Sequence, residues 1–271
     1  MSGAGDELRP EALRAYLTAP GFGADIQYFE TVGSTQAAAM AAALAGAAEG
    51  TLVVAERQTQ GRGRHGHSWT SPPGAGIYAS LLLRPRRSAA AMLPLTLAAA
   101  LAVADAVGEV EGIAPEIRWP NDLLLGGRKF CGLLLETTCS GGEDYAVLGF
   151  GINVRRQAWP PELAELATAL DEHTPQPIPR AQLCAAVVRQ MERRYCAWSM
   201  GGDAALLQEF EARCPDVRGR EVMVGGSGDL AAAYSGRTEG LESSGFLRVR
   251  LADGSLRVVV SGDVRLRARA L

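Results

Sequence analysis

The chain has 271 residues, 47% hydrophobic and 21% charged, enough for a sizeable core and incompatible with a disordered or fibrous protein. Its 27 basic residues against 30 acidic ones leave a net charge of -3, which excludes bulk attraction to nucleic acid or an anionic membrane. The basic residues are 26 arginines and one lysine, Lys129, and a compact ammonium is no substitute for a planar guanidinium fork, or the reverse.

The opening segment MSGAGDELRPEALRAYL lacks the apolar run of a signal sequence, so a cytoplasmic protein is expected. Helices are predicted from Leu8 to Leu17 and from Ser34 to Ala48, the second capped by Ser34 and stopped at Gly50. Thr51 to Glu56 reads as a buried strand. The long loop QTQGRGRHGHSWTSPPGAG follows, then the apolar strand IYASLLLRP; loops of that length inside compact domains are usually functional. A helix is predicted from Leu93 to Val107, within an uncharged stretch too rich in alanine to span a bilayer. Two apolar runs around Gly126 and Gly127 signal a hairpin. Tyr145 to Val154 reads as a strand ending in a glycine-rich turn, and proline pairs bracket a short helix before further helices at Arg180 to Trp198 and Asp203 to Ala212. From Arg220 short alternating segments punctuated by glycine predict an all-β barrel of about 50 residues. Five cysteines without CxxC spacing fit reduced core thiols better than disulfides or zinc.

GRGRHG, Gly61 to Gly66, satisfies a dinucleotide-binding pattern, but no helix signal opens at its glycines and no acid lies between Glu56 and Asp105 to hold a ribose. What remains is an anion clamp: Arg57, Arg62 and Arg64 with glycine amides free to approach a ligand. His65 and His67 form an HxH pair that lacks a third metal ligand. In the hairpin, a turn at Gly126 and Gly127 opposes Leu125 to Arg128, Leu124 to Lys129 and Asp122 to Cys131, putting Asp122 and Lys129 diagonally on one face, ~7 to 8 Å apart. An acid so placed can hold magnesium while the ammonium meets a carboxylate or phosphate, with Asn121 adding an amide.

The ordered set GSTQ, ERQTQGRGRHGHSWTSP, RWPNDLLLGGRKFCGLLLE and GFGINV resembles the catalytic domain of the biotin protein ligase family, from about residue 28 onward. The resemblance implies an α+β catalytic domain over residues 1–216, a mixed sheet with helices on one side, and an SH3-like barrel over 217–271. It implies an ATP-dependent enzyme that makes biotinyl-5'-AMP and passes biotin to a lysine of the biotin carboxyl carrier protein of acetyl-CoA carboxylase or a related carboxylase, with Mg2+ as cofactor. Position by position, Ser34, Thr35, Gln36 and Gln58 match residues that bind the biotin head group. Arg62, Gly63 and Arg64 match the loop that closes over biotin and the adenylate, and Lys129 the lysine at the biotin carboxylate and α-phosphate. Asn121, Asp122 and Asn153 match positions at ATP and its magnesium, with Asp122 and Asn153 as the metal ligands; Lys129, Arg64 and Asp122 form the catalytic set. Trp69 and Trp119 look like the pocket's tryptophan walls.

Gln36 stands where the family often has asparagine, Arg118 where lysine is common, and His67 where an arginine is common, implying a weaker or a pH-dependent hold on the ATP phosphates. About thirty residues precede GSTQ, too few for the helix-turn-helix of DNA-binding relatives, so neither DNA nor membrane is an expected partner; a homodimer stays open. Two rivals are a lipoate ligase or octanoyltransferase, against which the GRGRHG loop and the extra barrel argue, and a non-catalytic biotin-sensing or interaction protein, which loses unless one of Arg62, Arg64, Asp122 or Lys129 proves dispensable.

Overall fold

The structure, a computed structural model, describes residues 7–88, 91–138, 145–226, 229–260 and 263–266. The elements run α1 (Pro10–Arg14), β1 (Ile26–Val32), α2 (Thr35–Leu44), β2 (Leu52–Gln58), β3 (Gly76–Leu83), α3 (Leu93–Glu111), β4 (Glu116–Arg118), β5 (Asp122–Leu125), β6 (Arg128–Thr138), β7 (Tyr145–Asn153), α4 (Arg180–Ser199) and α5 (Asp203–Arg213). Strands β8 (Arg218–Gly226), β9 (Asp229–Leu241), β10 (Leu247–Arg250), β11 (Leu256–Val259) and β12 (Asp263–Leu266) follow.

The first seven strands form one mixed sheet in the order β1-β2-β3-β7-β6-β5-β4. Only β1 and β2 run parallel. All eight residues of β3 are buried, which is why its sequence is a continuous apolar run rather than an alternating one. Helices α3 and α4 cover one face, meeting Leu52, Val54, Ile77, Leu81, Leu148 and Ile152. The uncharged run of α3 is spent on this core, with thirteen of its residues buried.

Helices on one side only is corrected here: α2 lies on the opposite face, where Ala39 and Ala43 pack on Val53, Leu82, Tyr145 and Val147. An alanine helix has little to bury, and alanines let it approach the sheet closely. Its capping position Ser34 is extended but makes no side-chain cap bond. The first helix is also shorter than its alanine and leucine content predicts, starting at Pro10 and ending at Arg14. The glycines assigned to a turn after β7 lie inside the strand, at Gly149 and Gly151. Between the proline pairs stands a single 3-10 turn, Leu170–Glu172.

The last five strands make a second, antiparallel sheet in the order β11-β10-β9-β8-β12, with Val222, Val224, Leu241, Leu247, Val249 and Val259 buried. Cys131, Cys184 and Cys214 are buried free thiols, Cys196 is exposed, and Cys139 lies outside the described residues.

Candidate active site

The hairpin turn is the one the two glycines dictate: Gly126 and Gly127 have φ of 55° and 75°, left-handed values at both turn positions that glycine adopts without strain. Leu125 opposes Arg128 and Leu124 opposes Lys129, as the sequence predicts. Beyond that the register shifts: Leu123 faces Cys131, and Asp122 faces Gly132 rather than Cys131. Asp122 and Lys129 stay diagonal across the hairpin, and their side chains meet as an ion pair, with Lys129 Nζ 2.6 Å from Asp122 Oδ1. Burial drives the neighbouring Cys131 thiol far above its usual range, against the pull of Lys129, so it is no nucleophile at neutral pH.

Trp69 joins this pair. Its ring lies 5.5 Å below the Lys129 ammonium, in cation–π range. It lies across Gly132 and Gly151, which face each other on β6 and β7. A Cβ on Gly151 would sit 2.5 Å from the indole, and one on Gly132 would meet both Lys129 and Trp69 at 3.0 to 3.1 Å. Sequence reasoning missed this floor; its signal was a glycine inside a strand, which marks a close approach of another group.

Trp119 turns its indole N–H to the second sheet. It is buried, and its Nε1 donates to the Gly245 carbonyl in the second sheet's β9–β10 turn at 3.1 Å. Its motif position next to Asn121 does not reveal that the indole points away.

The GRGRHG loop folds on itself through a bridge between Arg62 and Ser68 and a 2.7 Å bond from Gly63 N–H to His67 O. It walls a cavity of about 510 Å³, lined by residues 60–68 together with Leu134 and Glu136 of β6, within the range of small-molecule sites. Arg62 and His67 are exposed at its rim. Arg64 Nη1 donates to Asn121 Oδ1 at 3.0 Å, and Asn121 Nδ2 in turn donates to Leu133 O at 2.7 Å.

Across the sheet, Gln58 Oε1 accepts from the Thr35 amide at 2.9 Å and hydroxyl at 3.1 Å, while its Nε2 donates to Ser71 Oγ at 3.0 Å. Ser34 and Thr35 are buried beside Gln36. The Gln36 amide is fully engaged within the protein: Nε2 donates to Val147 O at 2.9 Å, and Oε1 faces the Ser80 hydroxyl at 3.1 Å. Asn153 is buried; Nδ2 donates to Thr168 O at 3.2 Å, and Oδ1 has no partner among the described residues. No group of three His, Cys, Asp or Glu side chains gathers among the described residues. Among the described residues, Asp122, the cavity-lining Glu136 and the spare oxygen of Asn153 are the oxygens left for a cation, a sparse donor set that suits a small hard ion which keeps its waters and shares substrate phosphates.

The arrangement places one fixed cation, Arg64, on the cavity wall and a second, Lys129, over Trp69, the residue that follows the lining segment, which favours chemistry joining two anions. Residues 28–153 match the sequence model of the biotin/lipoate A/B protein ligase family, and residues 219–267 that of the biotin protein ligase C-terminal domain. The chain is 33% identical to the bifunctional ligase/repressor BirA of Bacillus subtilis, over 96% of this chain and 79% of that one. It is 33% identical to the biotin--[acetyl-CoA-carboxylase] ligase of Mycobacterium tuberculosis, over 96% of this chain and 97% of that one. The Aquifex aeolicus biotin protein ligase solved with biotin and ATP superposes with a TM-score of 0.76 at 29% identity, covering 90% of this chain and 99% of that one. With relatives 33% identical over 79% and 97% of their own lengths, the chain belongs to the biotin protein ligase family.

Proposed function

We infer that the protein adenylates biotin with ATP and transfers it from biotinyl-5'-AMP to a lysine of a biotin carboxyl carrier protein. The observation that carries this is the convergence of Lys129, Asp122 and the Arg64–Asn121 pair beside the loop-walled cavity. A carboxylate resists attack by an amine until its oxygen becomes part of a leaving group. In the first step a biotin carboxylate oxygen attacks the α-phosphorus and pyrophosphate leaves. Lys129 offsets the charge gathered between carboxylate and α-phosphate, and Arg64 adds a second cation from the loop that closes over them. In the second step the neutral carrier amine attacks the anhydride carbonyl and AMP leaves.

Thr35 and Gln58, with Ser34 beside them, present the polar groups for the biotin head; Gln36 fixes their height on the sheet through Val147 and Ser80. Asp122 and the spare oxygen of Asn153 would hold Mg2+, which shields the ATP phosphates when bound. Residues 1–216 form the catalytic domain, and 217–271 an SH3-like C-terminal domain whose presence favours biotin over lipoate. The protein acts in the cytoplasm without DNA or membrane; a homodimer is compatible with it.

Purified protein with biotin, ATP and magnesium should exchange pyrophosphate into ATP without a carrier, and lipoate should not replace biotin. Folded protein that is silent with biotin, or equally active with lipoate, refutes this reading.

A further inference from the structure

Lys129 sits where β6 has left its partner β7. Their pairing runs from Tyr145 to Ile152 on β7, and the residue opposite Ile152 is Cys131. The Lys129 backbone is held instead by a separate segment. Its N–H donates to Leu166 O at 2.8 Å and its carbonyl accepts from Thr168 N–H at 3.0 Å, a parallel bridge centred on Ala167. Arg128 reaches the same segment, with Nη1 3.5 Å from Ala167 O and Nη2 3.5 Å from Glu172 Oε2. The Thr168 carbonyl accepts from Asn153 Nδ2. One residue is thus bonded both to the lysine and to the asparagine that flank the proposed reaction centre.

Thr168 is completely buried and fixed from its other side. Its hydroxyl donates to Glu172 Oε1 at 3.1 Å, leaving a lone pair for His173 Nε2 at 2.9 Å. The Ala169 N–H gives a second bond to the same carboxylate oxygen at 3.0 Å. Burial opposes ionisation of Glu172, but the bonds from Ala169 and Thr168 and the Arg128 charge hold its carboxyl below the usual range. It is therefore a charged acceptor at neutral pH. The bulge at Phe130 leaves the start of β6 only Leu124 and Leu125 as ladder partners before the turn, so without this segment the lysine backbone would be free to shift.

We propose that Thr168 and Glu172 are positioning residues for adenylation, locking residues 166–173 as a strap that sets where the Lys129 ammonium and the Asn153 amide stand. The strap acts through Lys129 and so rests on the role read for that residue above.

The test is steady-state pyrophosphate exchange on the full chain carrying Thr168→Val, Thr168→Ser, Glu172→Gln or Lys129→Arg, with thermal unfolding recorded for each. Thr168→Val should lower kcat about tenfold with KM for biotin and ATP within about twofold, since a misplacement of an ångström suffices for such a loss. Thr168→Ser, which keeps the hydroxyl, should restore most of the rate. Glu172→Gln keeps an acceptor oxygen but loses the charge facing Arg128, and should fall between the two; it carries the test alone should Thr168→Val unfold. Thr168→Val and Glu172→Gln both within twofold of the parent, beside an inactive Lys129→Arg, overturn the strap and leave the lysine's role standing. A fully active Lys129→Arg overturns both. Losses that track unfolding temperature, unrelieved by Thr168→Ser, mark a structural residue and also overturn the proposal.

Discussion

At the scale of single residues, the lone lysine was legible before any fold was known, because arginine is this chain's default cation and a position that departs from it asks for a reason. Its contact with Asp122 was legible in kind: hairpin periodicity puts the two on one face, where their side chains meet at 2.6 Å, while the bulge at Phe130 that shifts Asp122 from Cys131 to Gly132 is announced by no sequence pattern. Trp69 and Trp119 were indistinguishable as motif tryptophans, yet one lies on paired glycines beneath the lysine and the other bonds Gly245 in the second sheet. Thr168 carried no signal at all, since the Glu172 carboxylate that takes its hydroxyl and the Lys129 and Asn153 groups that meet its backbone come together only in the fold. Lys129→Arg should slow biotin adenylation by at least ~100-fold, about 2.7 kcal/mol in the transition state, because a planar fork cannot take the place of an ammonium set between Asp122 and the Trp69 ring. Pyrophosphate exchange measures it, with the unfolding temperature as control. A loss of only a few-fold would mean that the lysine survives by drift.

At the scale of elements, strands and long helices follow their apolar patterns, whereas the order in which strands meet does not. Nothing in β3 says that it lies between β2 and β7, and α2 falls on the far face because its alanines fit a close approach there. What fixes α4 to the sheet is also hidden from periodicity: Arg180, at its first turn, places Nη1 2.8 Å from Glu56 Oε2 of β2 and also donates to Gly76 O at 3.0 Å. Both side chains are almost wholly buried, so the pair is held by hydrogen bonds rather than by exposure to water, and a second strut joins it, the Leu8 N–H to Glu56 Oε1 at 2.8 Å. Arg180→Met leaves a buried carboxylate without its cation and should cost ~3 to 5 kcal/mol in chemical denaturation. The double change Arg180→Met with Glu56→Leu should recover much of that loss, since two well-packed apolar side chains carry no unpaired charge. A single variant as stable as the parent would show that the ion pair contributes nothing to anchoring α4.

At the scale of the whole molecule, the two sheets are joined beside the site: Trp119 reaches Gly245, and Glu211 of α5 accepts from the Leu241 N–H at 2.6 Å and pairs with Arg218 at 2.7 Å. The lid is tied to the same region, because the Asn121 that receives Arg64 stands two residues after Trp119. Removing Arg64 therefore loosens the loop from the sheet, and a closed site is what keeps a reactive anhydride from water and stray nucleophiles. Arg64→Gly should release biotinyl-5'-AMP, which acylates exposed lysines on bystander proteins. Composition then adds a consequence that no local geometry gives. With Lys129 as the only lysine in the chain, and that one paired with Asp122 inside the site, the leaking enzyme offers almost no internal target for its own product. Incubating the variant with albumin, biotin and ATP, digesting both proteins and mapping adducts by mass spectrometry should find abundant label on albumin lysines and none on internal peptides of the ligase. Label on the Lys129 peptide would mean that the ion pair does not shield the ammonium, and an unlabelled albumin would remove Arg64 from the lid.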